Sequence, residues 1–191
     1  MISVDPIRSE KKIRDMKTYL KGKNIRDYAL FVTGINVALR ISDLLKLKWS
    51  DVLDENMKDF KAIRLVEGKT KKKRDITLNK TSQKALREFL NSLDTYSMDH
   101  YIFKSREGEN KPLSRQQALN ILKNAAEAVG IKDDNVGTHT LRKTWGYHAW
   151  KKGFSSALIM ETLNHSNLNV TKRYLGIRQD DINDLYENLN I

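Results

Sequence analysis

Six side chains suited to phosphate chemistry sit in four short stretches of this sequence. Arg40 closes an apolar run, residues 35–39, at the junction of two buried segments. Taken alone, a guanidinium there snorkels outward, pairs with a carboxylate such as Asp43, or faces an anion in a pocket; pairing is the plain reading. His139 and Arg142 are spaced i,i+3 at a helix start, so imidazole and guanidinium share one face beside unsatisfied N–H groups. Two cationic donors there suit an oxyanion or phosphate. His148, six residues past Arg142, points elsewhere and reads as a surface or core histidine. The third stretch, Gly68-Lys69-Thr70-Lys71-Lys72-Lys73-Arg74, is a basic turn. Such a run is ordinarily a solvated tip, yet a hairpin carrying a row of cations also fits a DNA groove. The fourth is the turn Asn164-His165-Ser166, followed by Tyr174 inside Thr171-Lys172-Arg173-Tyr174-Leu175-Gly176. A tyrosine at helical spacing is usually core; one in a short basic helix just after a histidine-bearing turn is a candidate nucleophile. The set contains neither a carboxylate pair nor His-Glu-x-x-His spacing. It suits metal-free phosphoryl transfer, in which cations surround the pentacoordinate phosphate and a phenol attacks, and does not suit a zinc hydrolase or a P-loop ATPase.

Hydrophobic periodicity shows what must hold these groups. A helix is expected after Asp5, with Pro6 at its first position, running to Gly22 and burying Ile13, Met16 and Leu20. Asn24 caps a second helix whose Tyr28-Ala29-Leu30-Phe31-Val32 is apolar on most sides and so carries the core. Ser42 is expected to cap a short helix ending near Trp49. Between residues 61 and 78 the period becomes two, Ile63 and Leu65 then Ile76 and Leu78, around the basic turn: a β-hairpin. Tyr101-Ile102-Phe103 is a strand candidate, and Ser114 with Gln117 is a capping box opening a helix that Gly130 closes. Helices follow over 138–152, 155–163 and 170–175, with a last amphipathic one carrying Ile182, Leu185 and Leu189. The fold class is mainly α with a small antiparallel β-sheet (α+β), as one domain over 1–191.

The chain has 191 residues, with 35 Lys+Arg against 24 Asp+Glu, a formal net charge of +11. That surplus points to a polyanionic partner, nucleic acid first. With no cysteine, disulfide scaffolds, Cys-ligated zinc or iron–sulfur sites and thiol catalysis are all excluded. The N-terminus opens without an apolar signal region, and no apolar run approaches the ~18 residues of a membrane span. A cytoplasmic protein without membrane contact is expected.

In order and spacing these stretches resemble the catalytic domain of the tyrosine recombinases, the phage-integrase type. The segment from Ala38 through Val52, with Arg40-Ile41-Ser42-Asp43-Leu44-Leu45 at its heart, resembles the family's first arginine box. Gly68-Lys69-Thr70 resembles its hairpin lysine, His139-x-x-Arg142 its second box, and Leu163-Asn164-His165-Ser166 through Tyr174-Leu175 its third box with the nucleophile. The resemblance implies a catalytic-domain fold in which Tyr174 attacks a scissile phosphate of double-stranded DNA, giving a 3′-phosphotyrosyl link and a free 5′-hydroxyl. It implies that Arg40 and Arg142 hold the non-bridging oxygens, Lys69 protonates the leaving oxygen, His139 takes the tyrosine proton and His165 steadies the transition state. No metal, ATP or other cofactor is then needed. Lys71, Lys72, Lys73, Arg74, Lys172 and Arg173 are the expected DNA contacts, and Lys71 to Lys73 remain open alternatives to Lys69 as the acid.

Two departures from the family pattern stand out. Asn164 replaces the usual glycine before His165; asparagine is the next most tolerant residue of a left-handed turn, so the turn should survive. Only ~25 residues precede the resemblance, so no N-terminal core-binding domain is expected within 1–191, and the chain is either a catalytic-domain piece or a short member. Without that clamp, weaker binding and poorer site selection are expected, with reliance on a partner, an accessory DNA-binding protein; a homo-oligomer, a tetramer on paired DNA sites, is expected separately. The competing readings are a non-catalytic DNA-binding regulatory protein, with residues 155–174 as a helix-turn-helix, and a topoisomerase-like enzyme that nicks and reseals. The final helix packs either on its own domain or into a neighbouring protomer.

Overall fold

A computed structural model describes residues 4–132 and 136–189. Among the described residues the elements are α1 (Glu10–Lys23), α2 (Ile25–Val37), α3 (Ile41–Leu44), α4 (Trp49–Val52), β1 (Ile63–Val66), β2 (Lys73–Ile76), α5 (Lys80–Asn91), α6 (Arg115–Ala128), α7 (Thr140–Lys151), α8 (Ser156–Thr162), α9 (Leu168–Leu175) and α10 (Gln179–Asn188). Their starts are set by local chemistry. Asn24 accepts from the amides of Arg26 and Asp27, Asn79 from Ser82, Ser155 from Leu158 and Asn167 from Val170. Ser114 and Gln117 form the expected reciprocal box.

The α2 helix is the core of the domain, packed against α1, α5 and α7. Ala29, Leu30, Phe31 and Val32 are fully buried. Gly34 lies inside α2 because α7 comes so close: a Cβ there would run into Leu141 Cδ1. Beside the main core lies a small second cluster, Ala38, Ile159, Leu163 and Leu175, on which Trp145 and Tyr174 pack. The sheet is the expected hairpin, antiparallel with Ile63 opposite Ile76 and Val66 opposite Lys73. No helix among the described residues is long and apolar enough to cross a membrane.

Three local expectations fail for identifiable reasons. Pro6 does not open α1; Ser9 caps it, its hydroxyl accepting from Lys12 N. The residues before it form a strap instead, because Ile7 is buried, its amide donates to Thr144 Oγ1 at 2.9 Å, and its carbonyl meets His148 Nε2 at 2.9 Å. Ser42 is not a cap: α3 starts two residues earlier with Arg40 in the capping position, and a separate α4 begins where the Asp51 carboxylate accepts from Lys48 N. The 101–103 segment is not a strand. Among the described residues it makes an isolated bridge to Lys48, with no partner strand to extend a ladder, and it buries Ile102 and Phe103 against the main core.

Candidate active site

The two arginines reach one place from opposite ends of the chain. Past the end of α2, Ala38 takes a left-handed conformation (φ 54°), and the chain turns so that Arg40 caps α3. Arg142 lies in the first turn of α7, 2 % exposed, and donates to the carbonyls of Ala38 and Leu163. Between them stands a carboxylate that sequence reasoning missed. Glu67, fully buried at the end of β1, accepts from Arg40 at 2.6 Å and Arg74 at 3.1 Å, and its Oε1 is 3.8 Å from Arg142. Thr70 Oγ1 and Asn164 Nδ2 also donate to it, at 2.7 and 2.9 Å. Asp43, the partner weighed for Arg40, instead accepts from Gly68 N at 3.2 Å.

Burial alone would raise the Glu67 carboxyl. The hydrogen bonds from Thr70, Asn164 and Arg40, with the Arg40 charge, outweigh it and hold the group at about 2. A carboxyl depressed below its unfolded value of ~4.3 adds stability that is complete above that pH and is lost as pH falls toward about 2. Glu67→Gln is therefore expected to lower stability at pH 7 by ~1–3 kcal/mol and to flatten the acid limb between ~pH 4.3 and ~pH 2. Urea midpoints across pH measure both; an unchanged acid limb would contradict the assignment.

The hairpin tip presents Lys69, Lys71, Lys72 and Lys73 to solvent. Arg74 is a correction to the expected row: two residues before buried Ile76, it shares the inward face of β2 and pairs with Glu67. Lys172 is exposed on α9. The side chain of Arg173 lies outside the described residues.

His139 sits at the capping position of α7, and its Nδ1 is 3.0 Å from Tyr174 Oη. Tyr174 lies in the last turn of α9, which Leu175, buried in the second cluster, anchors and Gly176 ends at φ 63°. The His165 ring meets the Tyr174 ring edge-on at 4.6 Å, while His165 Nδ1 is 3.1 Å from Thr171 Oγ1. Asn164 holds the left-handed turn (φ 51°) anticipated for it. Burial lowers the His139 imidazole, as do the charges of Arg142 and Lys143. Burial and the charges of Arg142 and Arg40 push His165 down to about 4. Burial raises the Tyr174 phenol, although Arg142 and Arg40 oppose it. At neutral pH both imidazoles are thus uncharged beside a protonated phenol, and His139 is in place to accept its proton. Among the described residues no group of three or more His, Asp or Glu side chains is placed to hold a metal ion.

The sequence profile of the phage integrase family matches residues 9–180. The probable integrase/recombinase YoeC of Bacillus subtilis (strain 168) is 42% identical over 184 residues, covering 96% of each chain. The tyrosine recombinase XerD of Corynebacterium glutamicum is 28% identical over 166 residues, 85% of this chain but 52% of that protein, so this chain spans about half of it. The crystal structure of XerA recombinase superposes with a TM-score of 0.77 at 22% identity, covering 98% of this chain and 67% of that one, which shows the shared fold. The chain belongs to the phage integrase family of tyrosine recombinases.

Proposed function

We propose that this chain cuts and rejoins double-stranded DNA with the side chains just described. Tyr174 Oη attacks the scissile phosphorus as its proton passes to His139 Nδ1. Arg40, Arg142 and His165 face the non-bridging oxygens of the pentacoordinate phosphate, where a guanidinium fork matches the geometry and growing charge is stabilised. The P–O5′ bond then breaks, and Lys69 gives a proton to O5′. The products are a 3′-phosphotyrosyl link and a free 5′-hydroxyl. Attack by another strand's hydroxyl reverses every step, so the phosphodiester energy is kept in the covalent link without ATP or a metal.

The observation that carries this reading is the 3.0 Å contact between His139 and Tyr174 beside two arginines that converge on one anion. A protein that only binds DNA has use for the arginines but none for a phenol beside a neutral imidazole, which weighs against the helix-turn-helix alternative. A nicking and resealing enzyme would share this chemistry and differ in product: one relaxed duplex rather than two recombined ones. Lys71, Lys72, Lys73 and Lys172, with Arg173, supply phosphate contacts along the duplex. A cytoplasmic setting fits the absence of cysteine. The direct test is incubation with a nicked duplex in EDTA: a protein–DNA adduct that survives denaturation is expected, and failure to trap one on any cognate site would overturn the proposal.

Assembly as a homo-oligomer, a tetramer on paired sites, is supported by α10. Its Ile182 and Leu185, with Leu189 just past its end, are 40%, 62% and 62% exposed beside Trp150 and Ile177, and ion pairs tie the helix to the domain: Asp181 with Arg8 and Lys151, and Arg178 with Asp5. An acidic helix with an uncovered apolar stripe complements the cleft of about 580 Å³ where Trp145, Phe154 and Leu158 lie beside Arg14, Lys17 and Lys152. A second copy's α10 is the occupant we propose. Deleting residues 180–191 should leave folding and single-site binding intact and abolish cooperative assembly on paired sites, read by gel shift. A truncated protein that unfolds, or assembles as before, contradicts this.

A further inference from the structure

The turn before His165 and the tip of the hairpin are joined through one amide. Asn164 Nδ2 donates to Glu67 Oε2 and to Thr70 Oγ1, both at 2.9 Å, and Thr70 donates to the same carboxylate oxygen at 2.7 Å. The turn itself does not need that amide. At φ 51° glycine would serve with less strain, so what asparagine adds there is the side chain's reach to the hairpin.

The residue so bracketed is Lys69. On one side Gly68 N donates to Asp43 Oδ1 of α3, at 3.2 Å; on the other Thr70 is tied to Asn164. The backbones of Lys71 and Lys72 bond only back into the hairpin, to Glu67. Of the four lysines on this turn, Lys69 is the one whose two neighbours are both fixed to groups outside the hairpin. Lys69 itself is exposed, and no hydrogen bond or ion pair to the described residues engages its ammonium.

We infer that Asn164 is a positioning residue for Lys69: the contacts among Asn164, Thr70 and Glu67 form a latch that holds the hairpin tip against the His165 turn. This rests on the reading of Lys69 as the proton donor. The step served is cleavage of P–O5′, in which the oxygen leaves with the electron pair and takes a proton from the Lys69 ammonium, which becomes the neutral amine. A mobile tip would bring the ammonium to O5′ only part of the time, and the latch raises that fraction before DNA arrives.

Asn164→Gly tests this without disturbing the turn. General acid catalysis contributes ~10²–10⁴-fold, so Lys69→Ala should slow single-turnover cleavage by ~10²-fold or more, and Asn164→Gly by ~10-fold, with single-site DNA binding unchanged. A substrate with sulfur at the 5′-bridging position has a leaving group that needs no proton. Both variants should cleave it within ~2-fold of the unaltered protein if general acid transfer is what each has lost. Asn164→Gly cleaving ordinary DNA at the normal rate, or slowed equally on both substrates, would overturn the latch while leaving Lys69 as donor. Lys69→Ala that the sulfur substrate does not rescue would overturn the role of Lys69, and the latch with it.

Discussion

Tyr174→Phe is expected to abolish the covalent DNA adduct while single-site DNA affinity stays within ~2-fold. The substitution removes one oxygen and leaves the ring where it is, packed on the second cluster, edge-on to His165 and beneath the Lys143 ammonium at 5.4 Å. The fold loses the hydroxyl's contacts to His139 and Arg142, each worth ~1 kcal/mol. The reaction loses its nucleophile, so the effect on cleavage is complete rather than graded. No substitute is at hand among the nearby tyrosines: Tyr147 is buried, with its ring against His148 and Arg8. An adduct that forms as before in Tyr174→Phe would remove this residue from the mechanism.

Arg40→Ala and Arg142→Ala are each expected to slow cleavage by ~10²-fold or more, the loss that follows removal of one preorganised donor to a developing oxyanion. Lysine at either position should restore little, because a point charge does not reproduce the fork. The structure also separates the two. Among the described residues the Arg40 side chain leans on Glu67 alone, whereas Arg142 is buried and satisfies the carbonyls of Ala38 and Leu163. Arg142→Ala leaves those carbonyls and part of the Glu67 charge uncompensated, and should lower the melting temperature more than Arg40→Ala does. Single-turnover rates beside melting curves separate the contributions. Near-normal cleavage by either alanine variant would mean that the phosphate lies elsewhere.

The side chains that the structure brings together were legible in the sequence because they are carried by residue types in order: a guanidinium after an apolar run, an imidazole and guanidinium three apart, a histidine turn before a tyrosine. The left-handed turn at Asn164 was legible from what asparagine tolerates. Glu67 was not, because a lone carboxylate beside a run of lysines reads as a solvated charge, and only the three-dimensional convergence of Arg40, Arg74 and Arg142 shows that it is buried. One signal was available. Residues 63, 65, 67 and 74, 76 continue the inward alternation of the two strands, which places Glu67 and Arg74 on the face of Ile63 and Ile76. The strap before α1 was hidden for a different reason. Pro6 is a good first helical residue, and the competing demand, burial of Ile7 with its amide on Thr144, comes from residues more than a hundred positions away.

By the proposed mechanism Tyr174 becomes bonded to the 3′-phosphate of cleaved DNA. Trapping the unaltered protein on a nicked duplex in EDTA, digesting it and sequencing the nucleotide-bearing peptide by mass spectrometry tests this most directly. A single modified peptide carrying its phosphate on Tyr174 is expected, with a free 5′-hydroxyl on the released strand. Modification of any other residue, or a free 3′-hydroxyl with the phosphate left on the 5′ side, would contradict it.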